Sequence, residues 1–115
     1  MFKFEELKVY QKGLIFVDDV YDLTKVWPKS EIFGLTSQLR RAAISIVLNI
    51  AEGSSRTNKD FGHFLSLARG SCFECVAILT IARHQELISS DEFSTLYEQC
   101  LELARMLSSL RSKVK

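Results

Sequence analysis

The sequence predicts an all-α fold, an antiparallel up-down-up-down four-helix bundle that forms a single domain over residues 1–115. Three observations support this prediction. Apolar residues recur at intervals of three and four in four long segments, which is the spacing of a helix face packed on a core. No segment alternates polar and apolar residues with the period of a strand. One Pro and five Gly leave little material for hairpin turns or linkers.

The first helix is predicted from Glu6 to Val26. Pro28 ends this segment, because proline cannot donate the next backbone hydrogen bond. Phe2 and Phe4 precede the helix and are expected to fold back onto the bundle as apolar plugs. The predicted core face consists of Leu7, Tyr10, Leu14, Val17, Tyr21 and Thr24, extended at its edge by Phe16, Val20, Leu23 and Trp27.

The central helix is predicted over residues 33–53, and apolar residues surround most of it. They cover an arc of roughly 240°, whereas one packed face needs a stripe of about 100°. The surplus predicts burial against further copies of the chain, although a monomeric bundle that contacts this helix on three sides is an alternative. The predicted core stripe is Leu35, Leu39, Ala42, Ile46 and Ile50, and the predicted oligomer interface is Ile44, Val47, Leu48 and Ala51.

Glycine and capping residues mark the next helix boundaries. Gly53 is expected to end the central helix with a left-handed C-terminal cap. Thr57 or Asn58 can then cap a third helix, predicted from Lys59 to about Leu87. Within that helix, Gly70 predicts a point at which two backbones cross closely.

The fourth helix is predicted from its capping box and from an uninterrupted apolar seam. Ser89 and Glu92 have the spacing of a capping box. A heptad seam predicts that this helix packs nearly parallel or antiparallel to its neighbours and continues almost to the C-terminus. The seam consists of Phe93, Leu96, Cys100, Leu103, Leu107, Leu110 and Val114.

Charge and composition exclude several classes of protein. The net charge of +1 provides no bulk attraction for nucleic acid, so any basic patch must come from the arrangement of the charges. Residues 1–10 lack the pattern of a signal peptide, and no membrane-spanning segment is expected. Three cysteines, an odd number, argue against a disulfide framework and favour a reducing cytoplasm.

No group of residues has the spacing of a catalytic or metal site. Cys72 and Cys75 form a CxxC inside a predicted helix, where two small core residues are a better interpretation than a redox pair. His63 and His84 have no partner at metal-binding spacing. We therefore expect a non-enzyme without cofactor, metal or small-molecule substrate.

Several polar residues lie within otherwise apolar helices and allow two interpretations. Because a buried charge needs a partner, one interpretation is a structural network across helices. The other is a basic surface for phosphates. The network would consist of Arg41, Asn49, Glu52, Arg69 and Glu74, and the candidate nucleic-acid contacts are Arg40, Arg41, Arg56 and Lys59. Arg69 would also fit the basic surface.

Three segments resemble one known family. They are FEELKVYQKG at residues 4–13, FGLTSQLRRAAISIVLNIAEG at 33–53 and KDFGHFLSLARGS at 59–71. The chain resembles the 23S rRNA intervening-sequence protein family, often described as four helix bundle proteins, over nearly its whole length.

The resemblance implies a four-helix bundle that assembles into a homopentameric ring. Some members are encoded within intervening sequences of bacterial 23S rRNA genes, and the family is similar to the accessory protein of diversity-generating retroelements, a basic pentamer. Members usually have Pro-Ser where this chain has Val47 and Leu48, so its central helix is expected to run straighter. The resemblance implies no catalytic or binding residues.

Two functions follow as hypotheses. The first is an oligomeric module in the bacterial cytoplasm that binds nucleic acid or associates with rRNA, either RNA or DNA being the partner. The alternative is a structural or adaptor protein that binds another protein. Neither hypothesis involves a membrane.

Overall fold

Four long α-helices make up most of the computed structural model, which describes residues 1–114. Two short 3₁₀ helices precede the first and second of them, and the described residues contain no strand. The molecule measures 42 × 21 × 20 Å. The all-α prediction is therefore confirmed. The helices are α1 (Lys8–Thr24), α2 (Leu35–Ser54), α3 (Asn58–His84) and α4 (Ser90–Lys113), and the 3₁₀ helices are Lys3–Glu6 and Lys29–Glu31.

Neighbouring helices run antiparallel around the bundle. Gly53 on α2 faces Phe64 on α3, and the Ser71 hydroxyl of α3 donates to the Ser45 hydroxyl of α2 at 3.0 Å. Residue numbers thus rise along one helix as they fall along the other. The remaining neighbours show the same antiparallel order. Helices α1 and α2 meet at Gly13–Val47 and Thr24–Arg40. Helices α3 and α4 meet at Gly62–Arg111 and Phe73–Leu101, and helices α1 and α4 at Lys12–Glu102 and Asp19–Gln99.

Side-chain caps determine where α3 and α4 begin, as predicted. The Thr57 hydroxyl accepts a hydrogen bond from the Asp60 amide at 3.3 Å. Ser89 accepts from the Glu92 amide at 3.1 Å, and the Glu92 carboxylate accepts from the Ser89 amide at 2.9 Å. Each cap satisfies amides that the first helical turn leaves without partners.

The core face of α1 differs from the predicted one. Leu14 and Tyr21, both placed in the core by the sequence, are 42% and 40% exposed. Phe16 and Val20, predicted at the edge of that face, are fully buried, and Gly13 is buried against α2. The prediction followed large side chains and overlooked a glycine, which rotated the expected face by roughly one residue spacing, about 100°.

The residues that precede α1 cover the bundle only in part. Phe4 is half-buried and packs edge-on against the Tyr10 ring, with 4.8 Å between the ring centroids. Phe2 stacks on Phe4 from outside and is itself exposed. Of the two expected apolar plugs, Phe4 therefore contacts the bundle and Phe2 remains at the surface.

The glycines of the bundle serve close packing in places that the sequence did not indicate. Gly53 lies within α2, and its φ is not the positive value of a left-handed cap. Its role is to let α3 pack closely, because a Cβ there would lie 2.6 Å from the Phe64 Cβ. A Cβ at Gly13 would lie 2.7 Å from a methyl group of Val47. Gly70, the predicted crossing point, faces open space, and a Cβ there would have no neighbour within 4 Å.

The surplus apolar surface of α2 is narrower than predicted. Val47 is 6% exposed because α1 covers it at Gly13, so this residue belongs to the core of one chain. Leu48 is 61% exposed, while Ile44 and Ala51 are half-buried on the same outer side. Three of the four predicted interface residues therefore remain accessible on the isolated chain.

Helix α3 is long and apolar enough to cross a membrane by length and composition alone, contrary to the expectation from sequence. The core helix of a bundle meets the same criterion. Buried residues of α3 face both α2 and α4, and 39% of its apolar window is buried.

Candidate nucleic-acid interface

Charge separates along the long axis of the bundle. One half, the basic half, comprises residues 1–15, 46–70 and 103–114, and the other, the acidic half, comprises residues 16–45 and 71–102. The basic half contains nine Lys and Arg against four Asp and Glu, and the acidic half contains five against ten. A nearly neutral chain therefore has one strongly positive end. The nine cations are Lys3, Lys8, Lys12, Arg56, Lys59, Arg69, Arg105, Arg111 and Lys113.

An open groove between the start of α3 and the end of α4 lies in this basic half. We call it the basic groove. Three cationic side chains and His63 line it, from both helices, and no Asp or Glu does. Serine and asparagine side chains supply further hydrogen-bonding groups. Its polar lining consists of Asn58, Lys59, His63, Ser66, Arg69, Ser108, Arg111 and Ser112.

The polar groups of the basic groove have few partners within the chain. Among the described residues, Lys59, Arg69 and Arg111 form no ion pair. The Ser66 hydroxyl is buried and has no hydrogen-bond partner in that part of the chain. Since the three cationic groups have no ion-pair partner there, an oxyanion in the groove would pair with them.

A second, apolar pocket lies farther along the same seam between α3 and α4. We call it the aromatic pocket, and its volume is about 180 Å³. Phe73 and Tyr97 form its accessible walls, at 57% and 39% exposure. The Arg69 guanidinium, which also lines the basic groove, lies 4.7 Å above the Phe73 ring. Arg69 therefore connects the two depressions.

The four predicted nucleic-acid contacts do not form one surface. Arg40 donates to the Thr24 hydroxyl at 2.8 Å and lies 4.4 Å above the Tyr21 ring, so it joins α1 to α2. Arg56 pairs with Glu52 at 3.2 Å and also lies over Phe64.

The other two candidates are exposed but lie apart. Arg41 lies on the outer side of α2, in the acidic half. Lys59 begins α3 in the basic half and lines the basic groove. Of the four residues, the structure thus brings only Lys59 into the groove.

The predicted structural network does not form. Glu52 pairs with Arg56, which lies in the turn after α2, and neither Arg41 nor Glu74 has an ion pair within residues 1–114. Both side chains are exposed, so burial does not force them to pair. The prediction failed because it took polar residues in apolar helices as buried, although one side of each helix faces solvent.

Hydroxyl and amide groups make the polar link between α2 and α3 instead. Asn49 donates to the Ser45 carbonyl at 2.8 Å and to the Ser45 hydroxyl at 3.0 Å. Ser71 completes the chain by donating to the same hydroxyl. Of the predicted network, Asn49 alone contributes to an interhelical link.

Sequence reasoning missed most of the basic groove. No sequence pattern marks Arg111, and His63 has no partner at metal-binding spacing. Arg69 fits both the structural network and the basic surface. The sequence does contain a signal for the groove, because cations cluster at the end of α4 and near the start of α3. Antiparallel packing brings those two helix ends together.

Three buried cysteines lie between the helices in the other half of the bundle. All three thiols are free. Burial raises the pKa of Cys72 to about 12. A hydrogen bond with Cys100, together with burial, raises the pKa of Cys75 far above its usual value. Cys72 and Cys75 therefore stay protonated at neutral pH and pack as small apolar residues, which agrees with the interpretation from sequence.

No cluster of three or more metal-binding side chains occurs within the described part of the chain. The candidate site consists of the basic groove and the aromatic pocket. Such a surface can bind an anion or stack a planar ring.

Comparison with known proteins identifies the family. The model of the 23S rRNA-intervening sequence protein family matches residues 5–109. A crystal structure from Bacteroides thetaiotaomicron, of a protein with unknown function from the S23 ribosomal protein family, is similar with a TM-score of 0.84. The identity is 24%, over 90% of this chain and 95% of that one, which establishes a shared fold. No curated protein matches the chain. Because the family match covers almost all of the sequence, this chain belongs to the 23S rRNA-intervening sequence protein family.

Proposed function

We propose that this chain is a non-enzymatic, oligomeric module that binds nucleic acid in the bacterial cytoplasm through its basic half. The separation of charge is the observation that supports this function most directly. Nine cations at one end of a chain with a net charge of only +1 concentrate positive potential where phosphates can be contacted. The description of the family refers to 23S rRNA, which makes structured rRNA the first partner to test.

Self-association is the second part of the proposal. Apolar side chains are exposed on the outer side of the α1–α2 pair, including Leu14 and Leu48, and Ile44 and Ala51 are half-buried beside them. Contiguous exposed apolar surface is typical of protein interfaces. We take the assembly to be a homopentamer, the state that the family resemblance implies. Its interface would leave the opposite α3–α4 side free.

Replacing Leu48 by aspartate tests the assembly. We expect the wild-type chain to elute as a homo-oligomer and the Leu48→Asp variant as a monomer, because a charge at the interface has no partner there. Light scattering coupled to size-exclusion chromatography measures the mass. Ile81→Asp is the matched control, since Ile81 is 49% exposed on α3 and should leave the assembly intact. A monomeric wild type would contradict this part of the proposal.

Charge reversal tests nucleic-acid binding. The Lys59→Glu/Arg111→Glu variant should bind rRNA fragments at least tenfold more weakly at low salt, because each phosphate contact contributes counterion release. Binding of the wild type should also weaken steeply as salt increases. Fluorescence anisotropy at several salt concentrations measures both effects.

The control reverses equal charge in the acidic half. Lys25→Glu/Lys29→Glu changes the net charge by the same amount, and both residues are exposed. We expect its affinity to stay close to wild type, because these residues lie away from the basic half. Equal weakening by both variants would point to non-specific attraction. If the wild type binds no RNA or DNA at low salt, the proposal is wrong, and the adaptor function becomes the better hypothesis.

A further inference from the structure

The seam between α3 and α4 contains two adjacent depressions of different chemistry. The basic groove is lined by Lys59, Arg69 and Arg111 without any carboxylate. The aromatic pocket follows along the seam, and its lining is mostly apolar. Arg69 lines the groove and stacks on Phe73, which forms a wall of the pocket. An anionic group and a planar ring can thus be bound side by side.

We propose that this seam binds single-stranded nucleic acid, with backbone phosphates in the basic groove and one unstacked base in the aromatic pocket. The inference rests on the proposed nucleic-acid function and specifies which form of nucleic acid is bound. A duplex keeps its bases stacked and presents no free ring, whereas single strands offer both phosphates and bases. The order of the two depressions therefore favours a single strand.

The aromatic pocket suits a base in size and in the rigidity of its walls. A cavity of about 150 Å³ holds a benzene ring, so a volume of about 180 Å³ admits one six-membered ring. Arg69 supports the Phe73 ring at 4.7 Å. Phe93 supports the Tyr97 ring, with 5.8 Å between their centroids. Rings held in this way lose little freedom when a base stacks on them, and the limited volume favours pyrimidines over purines.

The walls of the aromatic pocket are accessible to a ligand. Phe73 is 57% exposed and Tyr97 is 39% exposed. On the opposite side of the bundle, the Tyr21 ring also lies under an arginine, but that residue, Arg40, donates to the Thr24 hydroxyl and joins α1 to α2. Arg69, in contrast, lines the basic groove together with Lys59 and Arg111, so further cations lie near the Phe73 ring.

The test compares oligouridylate of about 12 nucleotides with an RNA duplex of equal length. We expect the wild type to bind the single strand more tightly. Phe73→Ala and Tyr97→Ala should each weaken single-strand binding roughly tenfold, because a stacked base contributes about that much. Neither change should alter duplex binding. Oligoadenylate should bind more weakly than oligouridylate.

Salt dependence separates stacking from phosphate contacts. Phe73→Ala should leave the slope of log K against log salt unchanged, whereas Arg111→Glu should reduce its magnitude by about 0.7 for a single strand. Phe73→Tyr keeps an aromatic ring and should therefore bind the single strand like wild type, unlike Phe73→Ala. Tyr21→Ala is the matched control, because Tyr21 is 40% exposed and Tyr97 39%, and it should bind like wild type. Circular dichroism confirms that every variant is folded.

The outcomes distinguish this inference from the function on which it rests. Salt-sensitive binding that Phe73→Ala and Tyr97→Ala leave unchanged, or equal affinity for the strand and the duplex, would overturn the single-strand site while preserving the nucleic-acid function. No binding of any RNA at low salt would overturn both. Loss of strand binding in the two variants, with duplex binding and salt slope preserved, supports the site.

Discussion

The Gly53→Ala variant should be less stable than wild type by about 1–2 kcal/mol, although alanine is the better helix former. The added Cβ would lie 2.6 Å from the Phe64 Cβ and 2.9 Å from a ring carbon of Phe61. The Phe64 Cβ is fixed to its backbone and cannot move aside as a side-chain end can, so α2 and α3 must separate. Overpacking costs about 1–3 kcal/mol, and so short a contact with an atom fixed to the backbone belongs in the upper part of that range, about 2–3 kcal/mol. It therefore outweighs a propensity gain of about 1 kcal/mol.

Gly70→Ala provides the matched control, with the opposite sign. Gly70 also lies inside a helix, but a Cβ there would meet nothing within 4 Å. Only the propensity gain remains, so this variant should be about 1 kcal/mol more stable than wild type. Thermal melts should show the difference, at about 4 °C per kcal/mol for a domain of this size. Stabilisation by both substitutions would show that α3 does not pack closely against Gly53.

The second prediction concerns alkaline pH. Burial raises the pKa of Cys72 from 9.0 to about 12, so the folded state keeps its thiol proton over a pH range in which the unfolded state loses it. The folded state then binds more protons, and stability falls as pH rises. The contribution is fully present below about pH 9 and is lost progressively between there and about pH 12, at about 1.4 kcal/mol per pH unit.

Cys72→Ala isolates this contribution from other groups that titrate in the same range. Between about pH 7.5 and about pH 10.5, we expect the wild type to lose about 2 kcal/mol more free energy of unfolding than the variant does. Urea unfolding at the two pH values measures the difference. The variant also creates a cavity, but that cost is the same at both pH values and cancels. Equal losses in the two proteins would mean that the Cys72 thiol is accessible to solvent.

Periodic patterns and local motifs predicted the helices and the N-terminal caps of α3 and α4 well, because these features depend on residues close in sequence. The stripe of α2 from Leu39 to Ile50 is buried as expected, and Ser89 with Glu92 forms the predicted capping box. The predicted core face of α1 was rotated from the observed one because the observed face includes Gly13. Gly13 is buried through its contact with Val47 of α2. Local spacing contains no information on such a contact.

The basic groove was harder to predict than the fold. Its cations are separated by more than forty residues along the chain, between Lys59 or Arg69 and Arg111. They come together because α3 and α4 run antiparallel, and a net charge of +1 conceals their concentration at one end. The sequence indicated Lys59 and Arg69 but grouped them with residues that lie on other surfaces, such as Arg40.

The sequence by itself determined the fold class, the number of helices, the N-terminal caps of α3 and α4 and the family, because each depends on local periodicity or on contiguous motifs. The tertiary structure alone decided which glycines allow close packing, which charges pair and which cations share a groove. The physical reason is that close packing and electrostatic potential depend on distances in space, and helix packing sets those distances between residues that are remote in the chain.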